Sequence, residues 1–188
     1  MVPVVLAAGY FALWACATPG PATLRTAAPP PPGEKREVGL GGFVAKDNYG
    51  DLTGGGAIWW TRHMWRFDLG YTIQGGGQGV GPTFTARLWM LDASRFRLGV
   101  GGELGTLGAM GELPVAVNAF GPVWLYGMPR LTTTPTAAWA AGGLVLRLSR
   151  VGVIVEGGDA VYMFASQSSS FGDLAMRYYG AGGLAIYY

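Results

Sequence analysis

Lysine is almost missing from this chain. Of thirteen basic residues only Lys35 and Lys46 are lysines, and none follows Met64. Soluble β-proteins keep faces and edges wet largely with Lys and Glu, so residues 64–188 make a poor water-facing outer surface. Arginine, with its planar fork, suits confined and paired charge. Charge of any kind is scarce, at 13% of residues, against about 25% in soluble domains. A net charge of +2 with no basic cluster gives nucleic acid no footing. A single cysteine excludes an intramolecular disulfide and a multi-cysteine metal site. No apolar run reaches the roughly 18 to 20 residues of a spanning helix. From Arg36 onward no segment has helical periodicity. Metal-ligand spacing is missing too, and Gly75-Gly76-Gly77-Gln78-Gly79 lacks the Lys and Ser/Thr of a phosphate loop. No cofactor is expected.

What is present is alternation. From Trp65 to Gln74, odd positions are Trp, Phe, Leu, Tyr and Ile, while even positions are Arg, Asp, Gly, Thr and Gln. A strand sends successive side chains to opposite faces, so this ribbon has one greasy and one charged face. Arg95–Leu104 repeats the pattern. Strand-like segments are expected at 36–46, 53–62, 65–74, 82–91, 95–105, 113–119, 123–131, 137–148, 151–160 and 177–188. Their lengths suit tilted membrane strands of about 9 to 11 residues. Pro114, Pro122 and Pro129 interrupt the sixth and seventh; merging those two, and losing one more, would leave eight. The 33 glycines, interleaved with aromatic and β-branched residues, read as small residues on the inner wall of a narrow curved sheet.

Connections alternate in length. Short ones fall near 62–64, 92–94, 120–122 and 149–150, longer ones at 47–52, 75–81, 106–112, 132–136 and 161–176. Trp59, Trp60, Trp65, Trp89, Phe96, Trp124, Tyr187 and Tyr188 gather toward the short-turn side, as in an interfacial aromatic girdle. The last strand puts Leu184, Ile186 and Tyr188 on one face and ends in an aromatic. It resembles the C-terminal strand signal of outer-membrane barrels. Residues 36–188 as a whole resemble the class of bacterial outer-membrane β-barrels. The resemblance implies an all-β, antiparallel up-and-down transmembrane barrel of about ten strands (eight as the alternative), with grease toward lipid and charge toward the lumen. It also implies both barrel termini on the periplasmic side of a Gram-negative outer membrane. A soluble lipocalin-like barrel is the minor alternative.

The amino-terminal region reads as two pieces. Residues 1–15 contain an apolar stretch of signal-peptide length, with no Lys or Arg before Arg25. Leu13-Trp14-Ala15-Cys16 resembles the lipobox of bacterial lipoproteins, although Trp14 stands where a small residue is usual. The resemblance implies lipidation of Cys16. Ala15-Cys16-Ala17 also fits ordinary signal cleavage, and a buried thiol is the bland reading. Residues 16–35, rich in Ala, Thr and Pro, read as a semi-rigid tether.

In this frame Arg66, Asp68, Arg87, Arg97, Glu103, Arg147, Glu156 and Arg177 point into the lumen, as a structural ion-pair network or a charged pore constriction. Enzymatic barrels of this class typically place His, Ser, Asp or Glu near the outer rim. Here His63 falls in a short turn with no evident acid/base partner, and the loop acids Asp47, Asp51, Glu112, Asp159 and Asp173 read as solvated or bridged to lipopolysaccharide. The loop at 161–176 mixes Tyr162, Met163, Phe164 and Phe171 with serines, fit for an adhesive tip or a hairpin extension. The expected function is a non-enzymatic outer-membrane lipoprotein, a scaffold in a cell-envelope assembly. Its partners would be membrane lipid, lipopolysaccharide and envelope proteins. A small channel is the alternative, and a hydrolase of lipid or peptide the second alternative.

Overall fold

A computed structural model describes residues 24–47, 52–76, 79–105, 108–133, 136–163 and 176–188. Within them are eleven strands: β1 (Arg36–Asp47), β2 (Leu52–Met64), β3 (Phe67–Gly76), β4 (Gly79–Asp92), β5 (Phe96–Gly105), β6 (Gly108–Glu112), β7 (Val115–Phe120), β8 (Val123–Thr133), β9 (Thr136–Leu148), β10 (Val151–Met163) and β11 (Met176–Tyr187). All pairings are antiparallel, and β1 pairs with β11, from Glu37↔Tyr187 to Lys46↔Tyr178, closing the sheet into a ring. Arg36 and Tyr188 exchange backbone hydrogen bonds of 2.9 and 3.0 Å, so the barrel begins and ends at the same rim. Four short connections, at 65–66, 93–95, 121–122 and 149–150, share that rim.

The strands β6 and β7 lie end to end in one position of the ring, between β5 and β8. β6 pairs Gly105↔Gly108 and Met110↔Thr132, whereas β7 pairs Phe96↔Val117 and Val115↔Gly127. The barrel therefore has ten strand positions. Pro114, which has no N–H, marks the break. The ladder is stitched across it by Leu113 N–H to Pro129 C=O at 3.0 Å and Gly99 N–H to Pro114 C=O at 2.9 Å. In an antiparallel ladder a residue's N–H and C=O face the same neighbour, so the missing N–H of Pro129 also falls at this gap. Two expectations are corrected here. The stretch 106–112 is mostly β6 rather than loop, and the expected strand 113–119 is β7 alone. The other long connections shrink as well, because β2, β4, β8 and β10 run past their expected ends.

Alternation decides the two faces. In β3 Phe67, Leu69 and Ile73 point outward while Asp68, Thr72 and Gln74 are buried. Around the ring Leu40, Ile58, Phe84 and Leu104 are each about 60% exposed or more, and the buried charged residues point inward. This inverts the soluble pattern: apolar side chains form the outer wall, and polar and charged ones line the lumen.

Candidate functional site in the barrel lumen

The inner wall is built from rings laid over glycines. Direct cross-strand partners include Gly39↔Trp59, Gly55↔Phe43, Gly99↔Trp89, Gly143↔Tyr126 and Gly158↔Tyr179. A Cβ on Gly39 would sit 2.1 Å from the Trp59 ring, and one on Gly158 2.5 Å from Tyr179. The absence of that atom lets each ring lie flat along the neighbouring strand rather than project toward the axis. Half of the expected girdle is thereby corrected: Trp59, Trp89, Trp124 and Tyr187 are buried inside the barrel. Parity is the reason. Trp59 and Trp60 are adjacent and must face opposite ways, and Trp89 lies two residues from Arg87, so it shares Arg87's face. Trp60, Phe96 and Tyr188 are outward, and Trp65, 86% exposed, tops the β2–β3 turn.

Among the expected lumen charges, Asp68, Arg87, Arg97, Glu103 and Glu156 are inward and buried, and Arg147 is half-buried. Arg66 is corrected: it sits exposed in the β2–β3 turn, its guanidinium 5.0 Å from the Trp65 ring centroid. Arg177 belongs to β11, but its side chain lies outside the described residues. The neighbours form discrete units. Arg130 and Glu156 are 3.3 Å apart, and Tyr126 and Tyr179 donate hydroxyl bonds of 2.9 and 2.8 Å to the same carboxylate. Arg87 holds Glu112 through Nε, with Nη2 3.3 Å from Oε2. Arg97 grips Asp92 at 2.9 and 3.2 Å and lies 3.7 Å over the Trp89 ring.

The histidine expectation is also corrected. His63 is the register partner of Asp68, with Nδ1 2.9 Å from Oδ1, and Nε2 lies 3.6 Å from Glu37. The indole N–H groups of Trp89 and Trp59 donate to Asp68 and Glu37 respectively. This is a closed polar cluster near the rim in which both carboxylates are already engaged, and it joins His63 to no nucleophile among the described residues. Glu112, expected in an outer loop, is buried on β6, and Asp159 is exposed on β10. Asp51, Asp173, Cys16 and most of the 161–176 loop fall outside the described residues, as does the Asp47 side chain.

Sequence reasoning missed the inward placement of Glu37, Glu112 and Arg130; Arg130 shares the parity of Trp124 on β8, whereas Glu37 and Glu112 are placed only by the register of β1 and β6. It also missed what fills the axis. Part of the expected tether folds back into the barrel. Gly33, at φ +90°, turns the chain, and Glu34 N–H bonds Pro31 C=O at 3.1 Å. Leu24, Arg25, Thr26, Ala27 and Ala28 are then buried inside. Arg25 pairs with Glu103. Arg87 donates to the carbonyls of Thr26 at 2.8 Å and Arg25 at 3.1 Å, and Arg147 to that of Pro29 at 2.7 Å. Wall arginines thus bind the backbone of the segment, and one wall glutamate binds its arginine.

Two further features describe the wall. The inward hydroxyls of Thr61, Thr72, Thr83 and Thr85, on β2 to β4, have no hydrogen-bond partner among the described residues. A sequestered hydroxyl requires a partner, so this sector is suited to water. Among the described residues the inward acids divide by partner: Glu156 and Glu112 have the wall arginines Arg130 and Arg87, Asp68 and Glu37 share His63, and Glu103 has Arg25 of the segment.

No protein-family model matches the chain, and no curated protein matches it either. Solved structures do. A KdgM porin in complex with disordered oligogalacturonate aligns with TM-score 0.50 and 7% identity, over 81% of this chain and 99% of that one. CdiB from Acinetobacter baumannii aligns with TM-score 0.38 and 11% identity, over 73% of this chain and 34% of that one. Neisserial surface protein A aligns with TM-score 0.35 and 9% identity, over 83% and 97%. The KdgM likeness is one of fold: this chain has the architecture of an outer-membrane β-barrel.

Proposed function

We propose that the protein is a small pore of a Gram-negative outer membrane, held shut by its own amino-terminal segment. The observation that carries this reading is the occupied axis. A lumen that admits an extended polypeptide, whose packing dimensions are about 4.8 by 10 Å, is wide enough for water and small ions once that peptide leaves. The ring-over-glycine wall supports it, because the rings do not cross the axis. The occupant is joined to the wall by non-covalent contacts that water can replace. The apolar exterior favours a membrane setting, and the rim shared by both barrel termini and the four short turns fits the periplasmic side.

The channel reading is preferred to the scaffold reading for that reason; lipidation of Cys16 and an envelope partner are compatible with either. Cys16 lies eight residues ahead of Leu24, a span of at most ~28 Å when extended, so an anchor there would hold the segment near the barrel. The hydrolase reading weakens because Glu112 is committed to Arg87. The KdgM porin was solved with a polyanionic sugar. Among the described residues the wall arginines Arg87, Arg97, Arg130 and Arg147 are engaged by acids or by segment carbonyls, so polyanion passage is not part of the proposal.

Planar-bilayer recording tests it. The full chain is expected to give rare, brief openings, and Arg25→Glu, which sets two carboxylates against each other at Glu103, sustained ones. If both stay silent while boiling still shifts their electrophoretic mobility, as for a folded barrel, the pore reading is wrong.

A further inference from the structure

Glu103 differs from the other inward acids of the mid-lumen. Glu156 has Arg130, and Glu112 has Arg87. Among the described residues the ion-pair partner of Glu103 is Arg25, and Arg25 belongs to the axial segment rather than to the wall. The site around that guanidinium is shaped for it. Gly70 forms its floor: a Cβ there would lie 2.7 Å from Arg25 Nη1 and 3.3 Å from the Thr61 hydroxyl. Thr85 stands in the same register row as Gly70 and Glu103, on the same inward face. Its hydroxyl and that of Thr61 lie on residues more than nine-tenths buried and have no described partner. The seat thus offers a carboxylate, a backbone floor where any side chain would intrude, and two buried hydroxyls on the same inward face that the seated guanidinium leaves unbonded. That geometry suits a flat, multi-donor cation better than a tetrahedral one.

We infer that the Arg25 seat, formed by Glu103, Gly70, Thr61 and Thr85, is a binding site for guanidinium-type cations, filled in cis by the amino-terminal segment and acting as the cation-selecting point of the lumen when that segment withdraws. The second half rests on the pore reading; the first does not. Without Arg25, Glu103 keeps no ion-pair partner among the described residues, whereas Asp68 and Glu37 retain His63. The neighbouring charges leave it so: Arg87 faces Glu112 on β6, Arg97 faces Asp92 at the rim, and Arg130 faces Glu156 on β10.

The test uses the full chain carrying Arg25→Gln, which empties the seat and keeps the segment's length. Methylguanidinium at millimolar concentration should raise its thermal unfolding midpoint by a few degrees. It should leave the wild type, whose seat is filled, and the Arg25→Gln/Glu103→Gln double variant unmoved. Methylammonium should act more weakly. An equal shift in all three proteins, or none in Arg25→Gln while it remains heat-modifiable, overturns the site. In bilayers under a KCl gradient, Arg25→Gln should prefer K+ over Cl− several-fold, and Glu103→Gln should abolish most of that preference. Current without cation preference overturns the selectivity assignment while the pore reading survives. Binding without current sinks the pore reading and leaves the site standing.

Discussion

Arg130–Glu156 and Arg25–Glu103 are the same pair of residue types at similar burial, yet they report on different things. The first joins β8 to β10 across β9, and two tyrosine hydroxyls complete the Glu156 carboxylate. All four side chains belong to the wall, so the unit cannot open without deforming the ring. The second joins the wall to a segment that belongs to no ladder. The ring is closed by backbone pairing whether or not that segment is present. One pair therefore measures integrity, and the other measures occupancy. Counting buried ion pairs would miss the distinction; asking which elements each pair joins recovers it.

Substitutions can break or sharpen this contrast. Arg130→Met leaves a buried carboxylate without its cation and should cost about 3–5 kcal/mol, read as a lower urea midpoint in lipid vesicles. Replacing Glu156 by Met as well should recover much of it. Gly158→Ala would press a methyl group 2.5 Å from the Tyr179 ring and tilt that hydroxyl off Glu156, at about 1–3 kcal/mol by overpacking. Arg25→Met should cost less, about 1 kcal/mol, because a freed segment lets water reach Glu103, while open probability in bilayers rises. If Arg25→Met destabilises as strongly as Arg130→Met, the axial segment is part of the wall and the contrast fails. The smallest effect belongs to Trp65→Ala: this side chain is largely exposed, and the unfolding midpoint should move by less than about 0.5 kcal/mol.

Much of the barrel is legible in the chain. Strict alternation at 65–74 and the scarcity of lysine point to an inverted sheet, and the ring of ten positions agrees with that expectation. The misses have physical sources. Gly108-Ala109-Met110-Gly111-Glu112 has weak strand propensity and reads as loop; it is a strand because β5 and β8 supply ladders on both sides. The tryptophans cluster near the turns along the chain, but parity divides them between the two faces. His63 finds its acids only through register, Asp68 across the β2–β3 hairpin and Glu37 across β1–β2. The axial segment leaves the faintest signal. Its composition is that of a linker, and its decisive pair spans 78 residues, a separation no local pattern encodes.

The ring-over-glycine wall, with peptide along its axis, also constrains how the molecule is put together. The ladder between β1 and β11 joins the first and last described strands, so it is a seam distant in sequence that closes the ring. Two assembly orders follow. Either the segment is threaded end-first into a finished cylinder, which demands a slender, unfolded leading end, or the final seam zips shut around it. A compact, stably folded fusion placed ahead of residue 24 permits only the second order. The same fusion after Tyr188 permits both.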